Sequence, residues 1–105
     1  MHSITQIGPI TELRLLFDKT NGLILDLRGK EDFESGHLPS AVHLDLMSQH
    51  FLDYFTNLEK DINILLYCSD GSRSKVAVRI LTEIGFHHLF NITNGIQQWD
   101  DTALL

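Results

Sequence analysis

Cysteine is nearly missing from this chain: its 105 residues include one, Cys68. No disulfide can form within the chain, so a disulfide-stapled fold is excluded. A lone thiol suits a reducing compartment, and a cytoplasmic location is expected. Positive charge is scarce too. Lys and Arg number 8 against 14 Asp and Glu, for a net charge of −6. That balance argues against broad contact with nucleic acid or an anionic membrane. No apolar run approaches the ~20 residues that a membrane span needs. The first residues, Met1-His2-Ser3-Ile4-Thr5, lack a basic start and a long apolar core, so no signal peptide is expected. With 2 Pro, 7 Gly and no repeat or low-complexity stretch, nothing marks a domain boundary. One monomeric domain over residues 1–105 is expected.

What is present alternates. Thr11 can cap a helix carrying Leu13, Leu16 and Phe17, which Asn21-Gly22 stops. Residues 23–27 read as a strand that is apolar on both faces. A helical turn over 30–34 ends at Gly36, and 41–44 form a short strand. Residues 46–58 read as a helix, with Met47, Phe51, Phe55 and Leu58 three or four apart. Residues 62–67 are the strongest strand and 74–84 the strongest helix, with an apolar stripe of Val76, Ala77, Ile80, Leu81 and Ile84. A strand over 89–92, a turn at Asn94-Gly95 and a helix over 96–101 complete the chain, with Trp99 in the core. Strands apolar on both faces and alternating with helices predict an α/β domain with a mostly parallel sheet. Such folds bind ligands beyond the C-terminal ends of their strands.

Cys68 lies at such an end. The segment Cys68-Ser69-Asp70-Gly71-Ser72-Arg73-Ser74 links the strongest strand to the strongest helix. Gly71 permits a turn that a Cβ would resist. A loop curled over the sulfur would aim several N–H groups and a helix N-terminus at it, and Arg73 and Lys75 add positive charge. Cysteines so placed fall from a pKa of about 8.5 to about 3.5–7.5. Asp70 opposes this trend and is expected to point outward. A free cysteine is most often a core residue. The polar, Gly-containing, helix-opening context favours a nucleophile here.

These residues resemble the rhodanese (sulfurtransferase) family over nearly the whole chain. The matches run Asp26-Leu27-Arg28, Asp32-Phe33, Gly36-His37-Leu38, Ala41-Val42-His43-Leu44, Tyr67-Cys68 through Ser74, Gly85-Phe86, Asn94-Gly95-Ile96 and Trp99. The family writes the loop as CxxGxRS. The resemblance implies a rhodanese-like α/β fold, a five-stranded mostly parallel sheet with helices on both faces. It implies Cys68 as nucleophile. The thiolate takes a sulfane sulfur from a donor such as thiosulfate, then passes it from a Cys68 persulfide to cyanide, a thiol or a protein. The loop, Ser69 to Ser74, would bind substrate. Asp70 puts negative charge where many thiosulfate-using members carry none, which counts against thiosulfate as the natural donor. In the related phosphatases and arsenate reductases five residues separate Cys from Arg. Here there are four, too tight for a tetrahedral phosphate.

Other residues have blander readings. Arg28 can draw in an anionic donor, but an ion pair with Asp32 or Glu31 is favoured. His37 is expected to hydrogen-bond structurally, with Asp26 as a candidate, because an ionised thiolate needs no base. His43 reads as an outward strand residue. The 6 His show no spacing with carboxylates that suggests a metal site, and no cofactor is expected. Phe51, Tyr54 and Phe55 read as the apolar face of a helix, with docking of a partner as the lesser alternative. A short loop on a small domain should leave the thiol open to solvent, which suits protein acceptors. The competing functions are a non-enzymatic binding or sulfur-relay module and a redox sensor.

Overall fold

The computed structural model describes the backbone of residues 2–4 and all of residues 22–92 and 95–96. Its elements are β1 (His2–Ile4), β2 (Leu23–Asp26), α1 (Lys30–Ser35), β3 (Val42–His43), a 3₁₀ turn (Leu52–Phe55), β4 (Ile64–Tyr67), α2 (Ser72–Glu83) and β5 (Leu89–Ile92). The strands form one sheet in the order β1-β5-β4-β2-β3, and every neighbouring pair is parallel. Four strands fall where the apolar runs put them. The fifth, β1, pairs His2 with Phe90 and Ile4 with Ile92, and its three residues are too short to show a pattern.

β4 is central and wholly buried, which is why Ile64-Leu65-Leu66-Tyr67 shows no alternation. Its side chains divide between two cores. Ile64 and Leu66 join Leu25, Leu27, Phe51, Phe55, Ala77, Leu81 and Phe86 on the α2 side. Leu65 and Tyr67 join Ile24, Leu38, Ile92 and Ile96 on the other. Each fully buried Leu or Ile contributes roughly 1.5–3 kcal/mol over an exposed one.

Two local expectations are corrected. Residues 46–58 are not a continuous helix. Their backbone bonds span three residues, from Ser48 N to Asp45 O, Phe51 N to Ser48 O, Asp53 N to His50 O and Thr56 N to Asp53 O. Ser48 Oγ accepts from His50 N, a donor that a helix over 46–58 would use within itself. Phe51 and Phe55 still reach the core, but Met47 is 73% exposed and Tyr54 stays at the surface. The stripe of α2 is also rotated. Ser74, Ala77, Val78 and Leu81 are buried, while Val76 and Ile84 are exposed. Ser74 takes an inner position because its hydroxyl donates to Gly71 O at 3.1 Å. The expected helix after Thr11, the Asn94 half of the turn, the expected last helix beyond Ile96 and Trp99 lie outside the described residues.

Candidate active site

Strand β4 ends at Tyr67, and Cys68 continues it over the α2-side core, 2% exposed. The chain then turns through Gly71, whose φ of 93° is left-handed, into α2. The turn directs the Gly71 N–H to Cys68 Sγ at 3.1 Å. Among the described residues this is the one backbone donor to the sulfur, where several were expected. Sγ lies 3.9 Å from Ser74 Oγ and from Asp70 Oδ1. The thiol is thus nearly covered rather than open to solvent, because Ser74 and the loop close around it.

Asp70 is exposed but does not turn away. Its Oδ1 accepts from Ser72 N at 2.9 Å and Ser72 Oγ at 2.7 Å, folding the carboxylate back over the loop. Those bonds, the Ser72 hydroxyl first, hold its pKa below the ordinary carboxylate value. A negative charge therefore stands at the rim of the site.

The pocket above Cys68 holds about 300 Å3 and opens beyond the C-terminal ends of β2 and β4. Ser69, Asp70, Ser72, Arg73 and Arg28 line it, together with Gly29 and Asp32. Gly71 and Ser74 act behind it, on the sulfur and on the loop. All eight residues picked out from the sequence are therefore brought together.

The two arginines are tied down. Arg28 pairs with Asp26, not with Asp32 or Glu31: Nε reaches Oδ1 at 3.0 Å and Nη2 reaches Oδ2 at 2.7 Å. Residues two apart share a face of an extended chain, so the spacing alone allowed this pair. Nη2 also donates to Gly36 O at 2.6 Å. Burial works against the Arg28 charge, but the Asp26 bonds and field outweigh it and raise the pKa above its ordinary value. Asp26 also accepts from the Tyr67 hydroxyl at 2.8 Å, and that hydroxyl accepts from Leu38 N at 3.1 Å. Arg73 reaches across the loop to Leu27 O at 3.3 Å and to Asp45 Oδ1 at 3.2 Å. Sequence reasoning passed over Asp45 and Tyr67. An acid between Leu44 and Leu46, and a hydroxyl at the end of a buried strand, were the available signals.

The histidines stand apart from the sulfur. His37 Nδ1 bonds Phe33 O at 2.8 Å rather than Asp26, whose oxygens are occupied, and its ring stacks on Phe33 at 3.9 Å. His43 is half-buried, not outward, with Nε2 2.8 Å from Arg28 O. No group of three or more His, Cys, Asp and Glu among the described residues is placed to hold a metal. No helix among them is long and apolar enough to cross a membrane.

The family model for the rhodanese-like domain matches residues 10–102, most of the chain. The chain belongs to the rhodanese-like domain family. It is 28% identical over 102 residues to the thiosulfate sulfurtransferase GlpE of Pseudomonas entomophila, covering 97% of this chain and 90% of that one. It is 27% identical over 84 residues to GlpE of Coxiella burnetii, covering 80% and 77%. The crystal structure of a rhodanese-like domain protein from Staphylococcus aureus superposes with a TM-score of 0.76 at 26% identity, over 100% of this chain and 97% of that one. At family level these likenesses support sulfurtransferase activity for this rhodanese-like chain.

Proposed function

We propose that this chain is a single-domain sulfurtransferase with Cys68 as its nucleophile. The Cys68 thiolate attacks the outer sulfur of a sulfane donor. With thiosulfate, the S–S bond breaks and sulfite leaves with the bonding pair, giving the Cys68 persulfide. An acceptor nucleophile (cyanide, a thiol or a protein thiol) then takes the outer sulfur and restores the thiolate. The carrying observation is the Gly71 N–H at 3.1 Å from Sγ, on the floor of an open pocket at a strand end. A donor aimed at sulfur stabilises negative charge there in the thiolate and in the persulfide that follows. Ser69, Asp70, Ser72, Arg73 and Arg28 surround the space that the donor enters. The chemistry calls for no cofactor or metal. Because Cys68 is recessed, a protein acceptor must insert a narrow thiol-bearing segment. A thiolate of this kind persists in a reducing compartment such as the cytoplasm, and one domain suffices for the reaction.

The test is the intact mass after incubation with excess thiosulfate and again after cyanide. The expected result is a gain of one sulfur that cyanide removes, with both changes lost in Cys68→Ser. A wild-type protein that gains no sulfur favours a non-enzymatic binding module. A gain of oxygen or of a glutathione adduct instead favours a redox sensor.

A further inference from the structure

Both cations that line the pocket among the described residues are already opposed by carboxylates. Arg28 holds Asp26 through two short hydrogen bonds, and Arg73 holds Asp45 at 3.2 Å. Two more carboxylates, Asp32 and Asp70, line the same pocket, and neither has an ion-pair partner among the described residues. No lysine among the described residues lines it. Summed over these described groups, a donor approaching the Cys68 thiolate meets net negative charge. Thiosulfate carries two negative charges, so each opposing charge acts on it twice over.

We propose that Asp45 is a specificity-determining residue: by neutralising Arg73 at the pocket mouth, it sets the site for an alkyl persulfide with no negative charge on its organic part, against dianionic donors. This deepens the Cys68 reading and rests on it. The step balances: the Cys68 thiolate attacks the outer sulfur of R–S–SH, the S–S bond breaks, R–S⁻ leaves with the bonding pair, and Cys68–S–SH keeps the proton. Asp45 touches no reacting atom. Its action is through Arg73, whose Nη1 it shares with Leu27 O. Asp70, folded over the loop by Ser72, lines the same pocket and acts in the same sense.

The experiment measures single-turnover sulfur loading of Cys68 by mass, with thiosulfate and with cysteamine persulfide, whose organic part is cationic. The readout is the ratio of the two rates, which cancels general losses of reactivity. At low salt, Asp45→Asn should raise the thiosulfate-to-persulfide ratio several-fold, up to about tenfold for one charge acting on a dianion at close range. Asp70→Asn, altering an exposed side chain, should shift it in the same direction and guards against misfolding of the first variant. Glu83→Gln makes the same change in net charge at the far end of α2, about 17 Å along the helix, and should leave the ratio unchanged. Added salt should speed thiosulfate loading of the wild type, because screening relieves repulsion. A ratio unmoved by both aspartate variants, an equal shift in Glu83→Gln, or thiosulfate loading that slows with salt overturns the assignment while leaving Cys68 as nucleophile. Sulfur loading that survives in Cys68→Ser overturns both.

Discussion

Asp26 and Tyr67 face each other across neighbouring parallel strands, and the Tyr67 hydroxyl donates to Asp26 Oδ2 at 2.8 Å. That bond joins the strand that carries Cys68 to the strand that carries Arg28. The same hydroxyl accepts from Leu38 N, and the same carboxylate grips the Arg28 guanidinium. Four polar groups are satisfied together beneath the pocket, so removing one leaves others buried and unpaired.

Tyr67→Phe keeps the ring and deletes the hydroxyl. It should destabilise the protein by about 1–3 kcal/mol, the usual cost of stranding a buried hydrogen-bonding group. Urea unfolding should show a lower midpoint with an unchanged slope. A variant as stable as the wild type would mean that water replaces the hydroxyl without loss.

Stability should also fall at alkaline pH. Burial, aided by the adjacent Asp26 charge, raises the Tyr67 pKa well above its ordinary 10.0. The folded protein then keeps the phenol neutral where the unfolded chain ionises it. The Tyr67 contribution is complete below pH 10 and declines above it by about 1.4 kcal/mol per pH unit, as the unfolded state loses the proton first. Unfolding midpoints between pH 9 and 12 should drop more steeply for the wild type than for Tyr67→Phe. Parallel curves for the two proteins would contradict this.

Gly95 supports the active loop from outside. Its φ is 72°, and a Cβ there would overlap the Ser69 carbonyl and Asp70 N. The next amide, Ile96 N, donates to Cys68 O at 3.0 Å. Gly95→Ala should therefore push the loop aside and slow sulfur loading of Cys68, by as much as about 100-fold if the displacement approaches 1 Å. It should also destabilise the fold, by at least the roughly 1–3 kcal/mol of a strained backbone position, because the overlap is with backbone. Stopped-time mass measurements and urea unfolding separate the two effects. A full rate would show that the loop absorbs the methyl group.

The legible parts of this molecule were those governed by periodicity. The doubly covered strands β2 and β4 and the helix α2 follow from unbroken or helically spaced apolar residues. The loop was legible because one cysteine, one glycine and one arginine stand at fixed spacing between two strong elements. What escaped was pairing at a distance. Local sequence favours Asp32 or Glu31 as the partner of Arg28, yet its guanidinium pairs with Asp26, which shares its face of the extended chain and is wholly buried. Asp45 meets Arg73 across 28 positions, a contact set by how β3 lies against β2 rather than by any local pattern. The failed helix over 46–58 has the same lesson at shorter range: Phe51 and Phe55 are buried as their spacing implies, but Met47 is exposed and Ser48 takes the His50 amide that a helix requires.

The strand order has a kinetic meaning for the sulfur. β4 has a neighbour on each side, whereas β1 and the two-residue β3 lie at the edges. Local openings start where few bonds must break, so the edges exchange their amides first and β4 among the last. Cys68 thus follows directly on one of the last elements of the sheet to open, and under the proposed chemistry the rims of the molecule can fray without releasing a half-transferred sulfur into solvent.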